Sequence, residues 1–130
     1  MSDYEIQNPK ARAVVEQMFA GHGQRRLAQL ERLDPELRAI VEDVIYGGLY
    51  AREVLDQRTR ELCAVAALTI IGRPGQLRTH MIAALGAGAT RAEVQEVITQ
   101  MGIYGGFPAT LGGLDLMEQV WRELDNSAEC

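Results

Sequence analysis

Lysine, cysteine and aromatic rings are scarce in this chain. Lys10 is the one lysine among 13 basic residues, so positive charge here is almost entirely guanidinium. Against these stand 18 acidic residues, for a net charge of −5 and a pI near 5.0. No basic stripe can form, which makes nucleic acid and anionic membrane surfaces poor partners. The two cysteines, Cys63 and Cys130, lie far apart and show neither metal-ligand spacing nor a disulfide framework. No metal site is expected. No apolar run approaches the roughly 18 residues of a membrane span, and the polar start from Met1 to Glu5 has no signal-peptide pattern. These absences point to a cytoplasmic protein. At 130 residues and 47% hydrophobic, the chain is expected to form one domain over 1–130, packed from about 15 to 124, with a frayed tail at 125–130.

What is present is helical. Apolar residues recur at spacings of three and four, and no alternating stretch competes with them. Asn8-Pro9 reads as a cap and a first-turn proline, opening a helix through Val14, Val15, Met18 and Phe19 that Gly21-His22-Gly23 ends. Asp34-Pro35 repeats the signal, and Leu37, Ile40, Val41, Val44 and Ile45 then share a face before Gly47-Gly48. Asp56 is expected to cap a central helix that runs to Ile71 and breaks at Gly72-Arg73-Pro74. The next helix spans about 74–87, with Gly88 as its left-handed stop. Thr90 and Glu93 make a capping box for a helix through Val94, Val97, Ile98 and Met101. Gly105-Gly106-Phe107-Pro108 is the last break, before a stripe of Leu111, Leu114, Met117, Val120, Trp121 and Leu124. The expectation is an all-α fold of six to seven helices.

Two of these helices are apolar on every side, from Glu61 to Ile71 and over much of Met81 to Ala87. A lone domain of this size cannot easily cover them, so a homo-oligomer is expected, with small residues such as Ala64, Ala67, Ala83 and Ala84 allowing close approach. The alternative is that these residues fill a tight monomeric core. His80 is a single imidazole in this apolar helix pair. Imidazole titrates near neutrality and suits proton transfer; the bland alternative is a core histidine bonded to a backbone carbonyl.

Four segments carry a resemblance: Arg58-Thr-Arg-Glu-Leu62, Gly72-Arg-Pro-Gly-Gln-Leu-Arg-Thr-His80, Gly86-Ala-Gly-Ala-Thr-Arg-Ala-Glu93 and Tyr104-Gly-Gly-Phe-Pro108. In this order and spacing, over about Val15 to Trp121, the chain resembles the carboxymuconolactone decarboxylase family of the alkylhydroperoxidase D-like superfamily. The resemblance implies a helical bundle of that type, assembled as a trimer or hexamer. It also implies a cofactor-free decarboxylase acting on a small carboxylated lactone. The superfamily's thiol peroxidases place Glu, two Cys and His at positions that here hold Glu61, Arg73, Gln76 and His80. Both thiols are absent, and Cys63 lies on the preceding helix without a resolving partner, so a thiol-dependent peroxidase is disfavoured.

Losing carbon dioxide leaves an electron pair that must be delocalised into a carbonyl, after which the enolate is protonated. His80 is the expected proton donor or acceptor, with Glu61 to orient it or set its protonation. For the substrate carboxylates the expected contacts are Arg73 and Arg52, because a guanidinium fork matches a carboxylate. Arg60 and Arg78 also flank the region, Arg60 more in the manner of a structural ion pair. Tyr50 and Tyr104 are hydrogen-bond donors to a carbonyl, and His22, read as a loop residue, is a further binding candidate. One departure stands out. Decarboxylating members usually carry an acid just before the segment matching Leu49-Tyr-Ala-Arg52, where this chain has Gly48. A tailoring enzyme of the same family, decarboxylating or shifting protons on another keto acid or lactone, fits that departure. A non-catalytic oligomeric binding protein is the third alternative.

Overall fold

The computed structural model describes residues 4–18 and 21–128. Among them there are seven α-helices and no strand, the all-α architecture expected. Phe19 and Cys130, both invoked above, lie outside the described residues. Contacts gather into two compact units, one up to Gln57 and one from Arg58.

In the N-terminal unit, α1 is Pro9–Met18, α2 is His22–Leu33 and α3 is Pro35–Ile40. The Asn8 side chain accepts from the backbone N–H groups of Lys10 (2.9 Å) and Ala11 (3.2 Å), so the cap expected from Asn8-Pro9 forms. Ala11, Val14, Val15 and Met18 are the buried face of α1, and Ile6 is buried too, so packing begins well before residue 15. The break after α1 is narrower than the glycines suggest. Gly21 alone is left-handed, at φ +91°, while His22 opens α2 and Gly23 is buried within it. His22 is therefore a half-buried helix residue, not a loop residue, because α2 begins directly after the left-handed Gly21.

Asp34 caps α3 through Leu37 N–H at 3.2 Å. From Val41 to Leu49 the helix then widens to i→i+5 bonding, and Tyr50 N–H closes it on the Ile45 carbonyl at 2.9 Å. The apolar face expected at Leu37, Ile40, Val41, Val44 and Ile45 is not buried: Leu37 and Ile40 are already exposed in α3, and Val44 and Ile45 are exposed in the widened turn. Ile40 is 53% and Val44 60% exposed, and the buried residues of the wide turn are Glu42 and Tyr46. A π-helical turn advances each residue by less angle than an α-turn, so a face counted at 3.6 residues per turn drifts off the core. The wide turn packs against α1, and Gly47 permits that approach: a Cβ there would lie 2.5 Å from Asn8 Nδ2, displacing the α1 cap.

The C-terminal unit is four helices: α4 (Gln57–Ile71), α5 (Pro74–Gly86), α6 (Arg91–Gly105) and α7 (Phe107–Ala128). The boundaries follow local chemistry. Gly72, Gly88 and Gly106 are left-handed at φ +78°, +101° and +90°. Thr90 Oγ1 accepts from Glu93 N–H at 3.1 Å and Glu93 Oε1 accepts from Thr90 N–H at 2.9 Å, the reciprocal capping box expected. Val65, Leu77, Met81, Val94, Ile98 and Val120 form the core. The tail expected to fray from 125 is instead helical through Ala128. Arg91 holds Asp125 with two bonds, 2.7 and 3.2 Å, and lies 5.1 Å over the Trp121 ring.

Candidate active site

The α4–α5 hairpin brings together two residues 19 apart in sequence. Glu61, Val65 and Thr69 recur at i, i+4 and i+8 on the inward face of α4. On α5 the inward face carries Leu77, Met81 and Ala84, with His80 at its edge. Antiparallel pairing across the Gly72 turn places His80 Nδ1 2.6 Å from Glu61 Oε2. The carboxylate is sealed, at 0% exposure, whereas the imidazole side chain is 15% exposed. The acid is therefore the sealed partner, and the histidine side chain is the one that solvent reaches in part.

Two buried glutamates show what distinguishes a site from a strut. In the N-terminal unit, Glu42 accepts from Gln7 N–H at 3.0 Å, Asn8 N–H at 2.8 Å, Arg38 Nη1 at 3.2 Å and the Tyr4 hydroxyl, so both its oxygens are occupied. Glu61 has one partnered oxygen, and its Oε1 is buried without a hydrogen bond. A native structure rarely leaves a sealed carboxylate oxygen unsatisfied without a use for it, and active sites are among those uses. Glu42 went unnoticed in the sequence. Its one signal was its place with Asp43 between the apolar residues Val41 and Val44, where the assumed α-helical face turned both acids outward.

The other expected site residues are distributed. Arg73 is exposed at the start of α5 and has no carboxylate partner among the described residues, whereas Arg58, Arg78, Arg91 and Arg122 pair with Glu93, Glu123, Asp125 and Glu118. Arg78 is thus a surface ion-pair residue. Arg73 lines a cleft of about 230 Å³ with Leu68, Leu77, Gly112 and Leu116, and neither His80 nor Glu61 lines it. Tyr104 is 70% exposed at the end of α6. His22, Tyr50 and Arg52 belong to the N-terminal unit. There Arg52 lines an open cleft of about 780 Å³ together with Lys10, Glu53 and Asp56, a mixed-charge wall and not a cationic one. Among the described residues no group of His, Cys, Asp and Glu is placed to hold a metal ion, and Cys63 is an exposed free thiol. No helix described is long and apolar enough to cross a membrane.

Comparison with known proteins finds one family and two relatives that resemble this chain. A model of the carboxymuconolactone decarboxylase family matches residues 35–119, a span that includes Glu61, Arg73, His80 and Tyr104 and excludes His22. A 4-carboxymuconolactone decarboxylase of Acinetobacter baylyi is 29% identical over 108 residues, covering 83% of this chain and 81% of that protein. An uncharacterised 15.0 kDa protein of Paracoccus denitrificans, from the nqo9-nqo10 intergenic region, is 38% identical over 98 residues, 74% of this chain and 73% of that one.

Proposed function

The chain belongs to the carboxymuconolactone decarboxylase family, and from that premise we propose that it is a cytoplasmic lyase working without metal or organic cofactor. Its substrate is a small carboxylated lactone or keto acid. The observation that carries the reading is the sealed Glu61 carboxylate 2.6 Å from an imidazole side chain that is 15% exposed. With Nδ1–H donating to Glu61, the tautomer is set and Nε2 becomes the atom at which a proton is gained and lost. As the bond to the departing carboxylate breaks, carbon dioxide leaves and the electron pair moves into the adjacent carbonyl to give an enolate. His80 then delivers its Nε2 proton to carbon, which regenerates the carbonyl, and takes a proton from solvent to reset. Glu61 touches only the imidazole in this scheme and is a positioning residue.

The direct test follows carbon dioxide release and loss of lactone absorbance when the purified protein meets 4-carboxymuconolactone. Turnover at a rate proportional to enzyme is expected, whereas absence of carbon dioxide release from this lactone and from a panel of β-keto acids would remove the lyase reading. A second reading, a tailoring enzyme of the same family with a different substrate, is favoured by Gly48. A Cβ at that position would lie 2.9 Å from the Asp43 carbonyl oxygen, so the wide turn as built has no room for an acidic side chain there. The panel separates the two readings by which acid is consumed.

We further propose that the chain works as a homo-oligomer, a trimer or hexamer. Ile40 and Val44 in one unit, and Ile71, Phe107 and Leu111 in the other, expose large apolar side chains that a partner copy would cover. Light scattering on the eluted protein is expected to give three or six times the 14.3 kDa chain mass; a monomer at micromolar concentration would refute assembly.

A further inference from the structure

Gly112 has no reason to be glycine that the fold supplies. It sits in the interior of α7 at an ordinary helical φ, and a Cβ built on it meets no atom within 4 Å. Its neighbour Gly113 is different, because a Cβ there would lie 2.8 Å from Ile98 Cγ2. A helix-interior glycine weakens the helix relative to alanine, so Gly112 costs stability without relieving a clash. Gly112 lines a cleft of about 230 Å³ at the α4–α5 turn.

That cleft has a defined chemistry. Leu68, Leu77 and Leu116 supply apolar walls, and no carboxylate lines it. The Thr69 hydroxyl on its wall already donates to the Val65 carbonyl at 2.7 Å and offers an incoming group no proton. The charged group present is Arg73, exposed and without a carboxylate partner among the described residues. A ligand is thereby oriented, with an anion on Arg73 and an apolar body along α7. The volume lies below the roughly 300–1,000 Å³ of sites for drug-sized molecules, which limits the ligand to a short-chain or single-ring acid. The cleft is also separate from the imidazole. Arg73 and His80 are seven residues apart, about 10 Å along a helix rising 1.5 Å per residue, and His80 does not line the cleft.

We propose that this cleft is a second small-molecule site, which binds an apolar monocarboxylic acid through Arg73 independently of the chemistry at His80. Titration of the isotope-labelled full chain with benzoate, followed by amide NMR, tests it. Benzoate is expected to shift the Gly72, Leu77 and Gly112 amides saturably, with the uncharged isostere benzamide at least about tenfold weaker. Arg73→Ala is expected to weaken benzoate by about tenfold or more, with Arg73→Lys retaining part of the affinity. Gly112→Leu is expected to fill the cleft and abolish binding while the thermal midpoint holds or rises. His80→Gln is expected to bind benzoate as the parent does. Equal binding of benzamide, unchanged binding in Gly112→Leu or Arg73→Ala, or no saturable cleft shift up to about 20 mM benzoate would overturn the proposal. So would loss of binding in His80→Gln, which would assign the acid to the imidazole. The outcome does not depend on the lyase reading, because benzoate is read at the cleft and not by turnover.

Discussion

In His80→Gln, turnover is expected to fall by about 10²–10⁴-fold, the span associated with loss of a positioned acid–base group, with the fold intact. Glutamine can still donate to Glu61, so the buried carboxylate keeps a partner, but the amide cannot carry a proton to substrate. His80→Ala differs in kind. It strands a fully buried carboxylate with neither oxygen bonded, a loss expected to cost about 3–5 kcal/mol of stability. Set against about 5–15 kcal/mol for a whole domain, that is a large share. Glu61→Gln keeps the shape and the contact while removing the charge, and is expected to slow turnover by about 10–10²-fold through misorientation of the ring. Since the two residues act as one unit, the double variant should lose much less than the product of the single effects. Rates on whichever acid the panel identifies, together with urea melts, separate the cases. Parent-like turnover in His80→Gln would take the imidazole out of the mechanism, whatever the family.

The second large effect belongs to Glu42. Glu42→Ala is expected to cost about 3–5 kcal/mol, because it leaves two backbone N–H groups, the Tyr4 hydroxyl and Arg38 Nη1 without their acceptor, while Arg38 Nε keeps Glu31. Hydrogen exchange should localise the loss to the amides of Gln7, Asn8 and the first turn of α1. A change below about 1 kcal/mol would mean that these donors find water at no cost, and would make the cluster ornamental. The same cluster sets an alkaline limit. Burial and the Glu42 carboxylate raise Tyr4 from 10.0 to about 12. Because the folded value lies above the unfolded one, the protonated hydroxyl stabilises the fold fully below pH 10. That stabilisation disappears as pH rises through about 12. Tyr4→Phe should flatten the stability profile over that interval, and an unchanged slope would put the hydroxyl outside the cluster's energetics.

Legibility of the site was uneven for a physical reason. Glu61 and His80 could be paired from the family register, yet no spacing rule says that residues 19 apart touch; the 2.6 Å contact depends on how the hairpin closes. Arg73 was readable as a candidate contact for a carboxylate, but its cleft depends on α7, which arrives some forty residues later. Arg78 looked equally available, and only packing revealed Glu123 beside it. Glu42 escaped because its donors lie in the N-terminal segment and on Arg38, and because the widened turn rotated it inward.

By itself the sequence determined most of the helices and several of their ends. Asn8, Asp34 and the Thr90 and Glu93 box cap α1, α3 and α6, and Gly72, Gly88 and Gly106 stop helices, since each acts on backbone groups within about four residues. Tertiary structure alone decided which glutamate is a strut and which an unsatisfied partner, which apolar faces stay uncovered, and that Gly112 lines a cleft with Arg73. Those outcomes turn on burial and on partners distant along the chain, and a buried polar group is stabilised or stranded by what the whole fold brings within 3 Å of it.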